Sequence, residues 1–95
     1  MPDASCVGQL TVGHEGYPPT DYITGDGGVL INGQPISVIG STATPHLKPG
    51  FPPHPVVAAG GSGTVLVNGV PLHRNGDPLA CGDTCDASTH VKVGG

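Results

Sequence analysis

Apolar residues come in short runs, and the runs recur. Val29-Leu30-Ile31 and Val65-Leu66-Val67 lie 36 residues apart, each followed by Asn-Gly and then Pro two positions on. Val91-Lys92-Val93 is a third run of the same kind, followed by Gly94-Gly95 where the earlier copies have Asn-Gly. Each run predicts a short strand. Asn-Gly supplies two residues that tolerate positive φ, so each full copy predicts a tight hairpin turn and a second extended piece. No segment of ten or more residues has helical periodicity, and Pro recurs too often for a long helix. The pattern predicts an all-β chain with little or no helix.

A second feature repeats with the strands. Cys6-Val7-Gly8-Gln9 lines up with Val38-Ile39-Gly40-Ser41 and Arg74-Asn75-Gly76-Asp77. Each is followed by a Gly- or Pro-bearing loop: residues 11–19, 42–55 and 81–85. Tyr17-Pro18-Pro19 matches Phe51-Pro52-Pro53, and the stretch after it leads into the next strand. Three such units, each too small to bury a face alone, must close on one another. The expected shape is a small cone of short strands with a pseudo-threefold arrangement, one face of which resembles a true trimer.

Composition changes the picture in one respect. With 95 residues, one Phe, two Tyr and no Trp, the chain has few bulky core fillers. Gly 17 and Pro 11 would ordinarily signal disorder, but in register with the strands they read as turn chemistry. A metal or a partner surface should supplement so thin a core. The formal net charge is −4, and the three cations Lys48, Arg74 and Lys92 form no basic stripe, which argues against nucleic-acid binding. The N-terminus has no basic start followed by an apolar run, and nothing approaches the ~20 apolar residues of a spanning helix. Three cysteines, an odd number with no secretory signal, argue against a disulfide framework.

The loops carry metal-ligand chemistry. Counted from the preceding Gly-plus-one step, His14 and His46 follow by five residues and Cys81 by four. In a threefold body these three would meet on the axis. Tetrahedral Zn²⁺ needs a fourth ligand. His54, in the long second loop, is the choice; its first-copy counterpart is Thr20, and Cys85 and His90 compete for the role. Imidazole nitrogens and one thiolate suit zinc, and four protein ligands make a closed, structural site. His73, in the Pro71-Leu72-His73-Arg74 segment, is expected to face solvent. The competing enzymatic reading, a zinc hydrolase, would use His14, His46, a bound water and a general base such as Glu15 or Asp83. Four available ligands argue against it.

The run Val65-Leu66-Val67-Asn68-Gly69-x-Pro71-x-x-Arg74-x-Gly76-Asp77, its earlier copy, the loop histidines and the Cys81-Gly82 step together resemble PAAR-repeat proteins. The resemblance covers nearly the whole chain. The namesake Pro-Ala-Ala-Arg appears as Pro71-Leu72-His73-Arg74 and Pro35-Ile36-Ser37-Val38, neither of them literal. The resemblance implies a cone with structural Zn²⁺ near its apex, and by position it assigns His14, His46, His54 and Cys81 as the ligands. It implies a non-enzymatic tip seated on a trimeric β-helical spike, one per trimer, in a type VI secretion system or contractile phage tail. It implies transient contact with a target membrane, and residence in the cytoplasm before assembly. Met1 and Gly95 lie hard against the repeats, so residues 1–95 are expected to form one domain without an effector extension. A free-standing zinc-binding adaptor module is the alternative.

Overall fold

The two Asn-Gly steps turn the chain as their chemistry predicts. Asn32 and Gly33 have φ of 51° and 80°, Asn68 and Gly69 of 50° and 80°. Positive φ at both central residues is the type I′ geometry, whose twist matches flanking antiparallel strands. The computed structural model describes residues 2–14, 16–48 and 50–93, and omits the side chains of 46–48 and 51–54. Gly94-Gly95, the expected third-copy turn, and Glu15, the general base of the enzymatic reading, lie outside the described residues.

Eight short strands are present, and no helix among the described residues: β1 (Leu10–Thr11), β2 (Asp26–Ile31), β3 (Gln34–Ile36), β4 (Thr42–Lys48), β5 (Phe51–Val57), β6 (Leu66–Val67), β7 (Val70–Pro71) and β8 (Cys85–Asp86). All pairings are antiparallel: β2 with β3, β4 with β5, β6 with β7, and β1 with β8. The third base hairpin is assembled from the two ends of the chain. Ala4 N–H donates to Val91 C=O at 2.7 Å, Val93 N–H to Pro2 C=O at 2.9 Å, and Asp3 faces Lys92.

The threefold relation is written in the backbone hydrogen bonds. Ser37 N–H donates to Ser5 C=O (2.9 Å), His73 N–H to Ser37 C=O (2.9 Å), and Ser5 N–H to His73 C=O (3.1 Å). This three-membered cycle closes the repeats around an axis. Further along, each repeat projects a hairpin, over residues 9–22, 41–58 and 77–85. Neighbouring hairpins make equivalent bonds: Thr44 N–H to Asp21 C=O (2.9 Å), Ala80 N–H to Val57 C=O (2.8 Å), Val12 N–H to Thr84 C=O (2.9 Å). Closure of this kind satisfies backbone groups that an open sheet would leave at its edges. The body measures 39 × 23 × 22 Å, its two short axes nearly equal as a threefold arrangement requires.

Two cores are stacked along it. At the base, Ala4, Cys6, Ile31, Ile36, Val67, Leu72 and Val93 pack together, one or two small apolar residues from each repeat face. Under the hairpins sit Tyr22, Ala43, Val56, Leu79, Cys85 and Ala87. Between them the backbones run close together. A β-carbon at Gly25 would lie 2.6 Å from the Ile36 carbonyl, and one at the equivalent Gly61 2.7 Å from that of Leu72. Any side chain at either position forces the segments apart.

Candidate metal centre

The three hairpins differ in length, and the difference decides where each predicted ligand stands. In the first, His14 and Tyr17 exchange backbone bonds, Tyr17 N–H to His14 C=O at 2.7 Å and His14 N–H to Tyr17 C=O at 3.1 Å. His14 is thus the last paired residue before the tip. Its ring stacks on Tyr17 with centroids 5.4 Å apart and planes 22° from parallel, and its Nε2 is buried from water.

The third hairpin is the shortest. Leu79 N–H donates to Asp83 C=O (2.9 Å), Gly82 N–H to Leu79 C=O (3.0 Å), and Gly82 has φ of 99°. A tight turn ended by a residue of positive φ is a common three-residue hairpin loop, and it puts Cys81, half-buried, at the tip. His14 reaches this loop: its Nδ1 is 3.9 Å from where a β-carbon on Gly82 would stand. In the second and longest hairpin, His46 and His54 are directly opposed across the β4–β5 ladder, with Lys48 opposite Phe51 nearer the tip.

The repeat count made from sequence holds along the incoming arms and needs one correction along the outgoing ones. Along the incoming arms, where Val12, Thr44 and Ala80 make equivalent bonds, His14 and His46 do correspond. The third-copy residue in that register is Gly82, and Cys81 comes one earlier, because the short hairpin has already turned there. Along the outgoing arms, Tyr22 N–H bonds Gln9 C=O as Ala58 N–H bonds Ser41 C=O. His54 therefore corresponds to Pro18, two residues before Thr20.

The structure brings His14 beside the Cys81-Gly82 loop and sets His46 against His54. Among the described residues no three His, Cys, Asp or Glu side chains cluster as a metal site, and the His46 and His54 imidazoles lie outside the described side chains. The donor chemistry fits Zn²⁺: imidazole nitrogen, one of them withdrawn from water in His14, next to a loop presenting a thiol.

The two rival fourth ligands lie away from the hairpin tips, Cys85 in the core and His90 exposed at the base. Cys85 is 1% exposed and packs in the upper core. Burial pushes its thiol pKa up, against opposing hydrogen bonds to Ser5 and Tyr22. His90 sits at the base, its N–H bonded to Asp3 Oδ2 at 3.1 Å.

His73 departs furthest from expectation. It is wholly buried. Its Nδ1–H donates to Gly60 C=O at 2.7 Å, and its Nε2 accepts from the Tyr22 hydroxyl at 2.7 Å. A carbonyl only accepts, so Nδ1 carries the proton and the neutral ring uses both nitrogens. Desolvation holds the His73 imidazolium pKa below its ordinary value, opposed by the Gly60 bond and nearby Asp77. Desolvation likewise pushes the Tyr22 phenol well up. The clue available in sequence was the column Ser5, Ser37, His73: all three are fully buried and meet in the axial cycle.

Asp83, weighed above only as a general base, is 2% exposed. Its carboxylate accepts Gly13 N–H on both oxygens, at 2.9 and 3.1 Å, and Thr84 N–H at 2.7 Å. Gly13 has φ of 90°, and a β-carbon there would lie 2.8 Å from Tyr17 C=O, so the position admits glycine alone without strain.

Among curated proteins no relative matches the sequence. A family model does: that of the PAAR motif, over residues 5–86. That span takes in the axial cycle, both complete base hairpins and all three upper hairpins. With its threefold closure and the match over most of its length, the chain belongs to the PAAR-motif family.

Proposed function

We propose that the protein is a non-enzymatic, zinc-stabilised tip that caps a trimeric β-helical spike of a contractile injection machine, a type VI secretion system or a phage tail. The observation that carries this reading is the family match over residues 5–86, which supports a structural role at a spike tip. The backbone symmetry adds to it. A single chain with three equivalent faces can meet each subunit of a trimer in nearly the same way. At the base, the equivalent residues Leu30 and Leu66 are 57% and 55% exposed, while their strand neighbours Ile31 and Val67 are buried. Two large apolar side chains held outward at matched positions suit a partner surface.

In this reading His14, His46, His54 and Cys81 hold one Zn²⁺. When bound, the ion supplies no chemistry beyond cross-linking the three hairpin tips. Residues 1–95 act as one domain. The protein waits in the cytoplasm, joins one to a trimer, and its point makes transient contact with the target membrane when the machine fires.

The test is binding to a purified trimeric β-helical spike fragment, read by mass in solution. A complex of one chain per trimer is expected. The double substitution Leu30→Asp/Leu66→Asp should abolish it while leaving the melting temperature within a few degrees of wild type. No complex with any such spike, alongside tight zinc binding, would leave the free-standing adaptor as the better account.

A further inference from the structure

We propose that Asp83 is the positioning residue of the metal site: it holds the His14 and Cys81 tips at ligand spacing. The inference rests on the zinc reading above. The backbone bonding between the first and third hairpins reaches Val12 N–H to Thr84 C=O. His14 lies two residues beyond, and two ligands of one tetrahedral ion require their tips to be fixed more finely than a two-residue overhang allows. Asp83 supplies that link. Its carboxylate takes Gly13 N–H, the amide next to His14, on both oxygens. Its own carbonyl accepts Leu79 N–H and so closes the turn that presents Cys81. One residue therefore grips both strands of the juncture, through the side chain on one and the main chain on the other.

Groups behind the ligands that orient them are worth about ten- to a hundredfold in metal affinity.

The experiment measures zinc affinity of full-length protein by competition with a chromogenic chelator, together with melting of the zinc-free and zinc-loaded forms. Asp83→Asn, nearly isosteric, should bind zinc about ten- to a hundredfold more weakly, and its melting temperature should fall more in the loaded form than in the free one. Equal falls in both forms with wild-type affinity would make Asp83 purely structural and overturn the inference. Cys81→Ser is the control for the underlying reading. If it loses zinc while Asp83→Asn does not, only the Asp83 inference fails. If wild type and Cys81→Ser bind zinc alike, or neither binds it, both fail. Amide exchange on wild type covers the case of a variant that does not fold. The Gly13 N–H should be protected without zinc and more so with it, and exchange at the rate of an open amide would overturn the clamp.

Discussion

The axis and the hairpin tips are built from the same three repeats by opposite rules. On the axis, equivalent residues make equivalent bonds: Ser5, Ser37 and His73 exchange backbone N–H and C=O groups in a cycle of 2.9–3.1 Å contacts. At the tips equivalence ends. The first hairpin turns after His14, the second continues past the opposed pair His46 and His54, and the third has turned by Gly82. The regular part needs every repeat to do the same thing, because it closes only if all three contribute. The tips are under no such demand, and the ligand set proposed above would draw differently on each repeat. Stability should therefore follow the axis and chemistry the tips, and substitutions can separate the two.

The largest effect is expected on the axis. Tyr22 is 0% exposed and, among the described residues, the bulkiest fully buried side chain, standing where the other repeats have Ala58 and Cys85. Tyr22→Ala leaves a cavity in a small core and deprives His73 Nε2 of its partner, and should cost about 3–5 kcal/mol. Chemical denaturation with and without chelator checks this. The loss should be the same in both, since the defect lies below the proposed metal site. A loss seen only in the zinc-loaded protein would merge the two regions into one.

At the tips the dependence on metal should reverse. His14→Ala or Cys81→Ser should lower zinc content and, in zinc-saturated buffer, remove the stabilisation that binding supplies, about 4 kcal/mol at a thousandfold excess over Kd. In chelator the same variants should melt close to wild type, because the hairpins stay joined by backbone bonds such as Ala80 N–H to Val57 C=O. Metal analysis beside the melts is decisive; unchanged zinc removes that residue from the ligand set.

In chelator, where protonation of the proposed metal ligands plays no part, acid should probe the axis. Burial keeps the His73 pKa below its ordinary value near 6.5. The unfolded chain therefore takes up a proton before the folded one does. Stability from this residue is complete above about pH 6.5 and is lost as pH falls below it, at up to about 1.4 kcal/mol per pH unit, until the folded ring also titrates. Protonated Nε2 can no longer accept from Tyr22. Comparing wild type with His73→Gln from pH 8 to 5 isolates the effect: the variant should lack that component of the slope.

How much of this was legible follows the same division. The strands, the Asn-Gly turns and the threefold closure could be read because they rest on local chemistry repeated at fixed spacing. Asn32 and Asn68 take positive φ wherever that pair closes a hairpin. The buried state of His73 was missed because its own segment reads as polar and near a charge; only its column, shared with Ser5 and Ser37, marks the axis. The one-residue offset at Cys81 could be counted, but its cause could not be read. Counting residues assumes arms of equal length, and a hairpin that turns early places the candidate ligand by turn geometry instead. Asp83 gave no sign because its partner is a backbone amide far away in sequence, Gly13, and amides have no signature.

The smallest effect concerns the residue for which the motif is named. Arg74 pairs with Asp77, Nε to Oδ2 at 2.9 Å and Nη2 to Oδ1 at 3.1 Å, both side chains being mostly buried. Asp77 Oδ2 also accepts Arg74 N–H at 2.8 Å, and in the second repeat Ser41 Oγ does the same for Val38 N–H at 3.0 Å. The cap on the turn is thus common to the second and third repeats, and the guanidinium is added to it in one of them. Val38 and Cys6 hold the equivalent positions without charge. Arg74→Ala should therefore cost about 1 kcal/mol, the upper end of the range for ion pairs, since this one is bidentate and largely shielded from water. Asp77→Ala, which removes cap and ion pair together, should cost more, by about the worth of one hydrogen bond to a buried amide, roughly 1–3 kcal/mol. The reverse order, measured by urea denaturation in chelator, would mean that the arginine holds the third repeat by a means the other two lack, and the axis would then be no more symmetric than the tips.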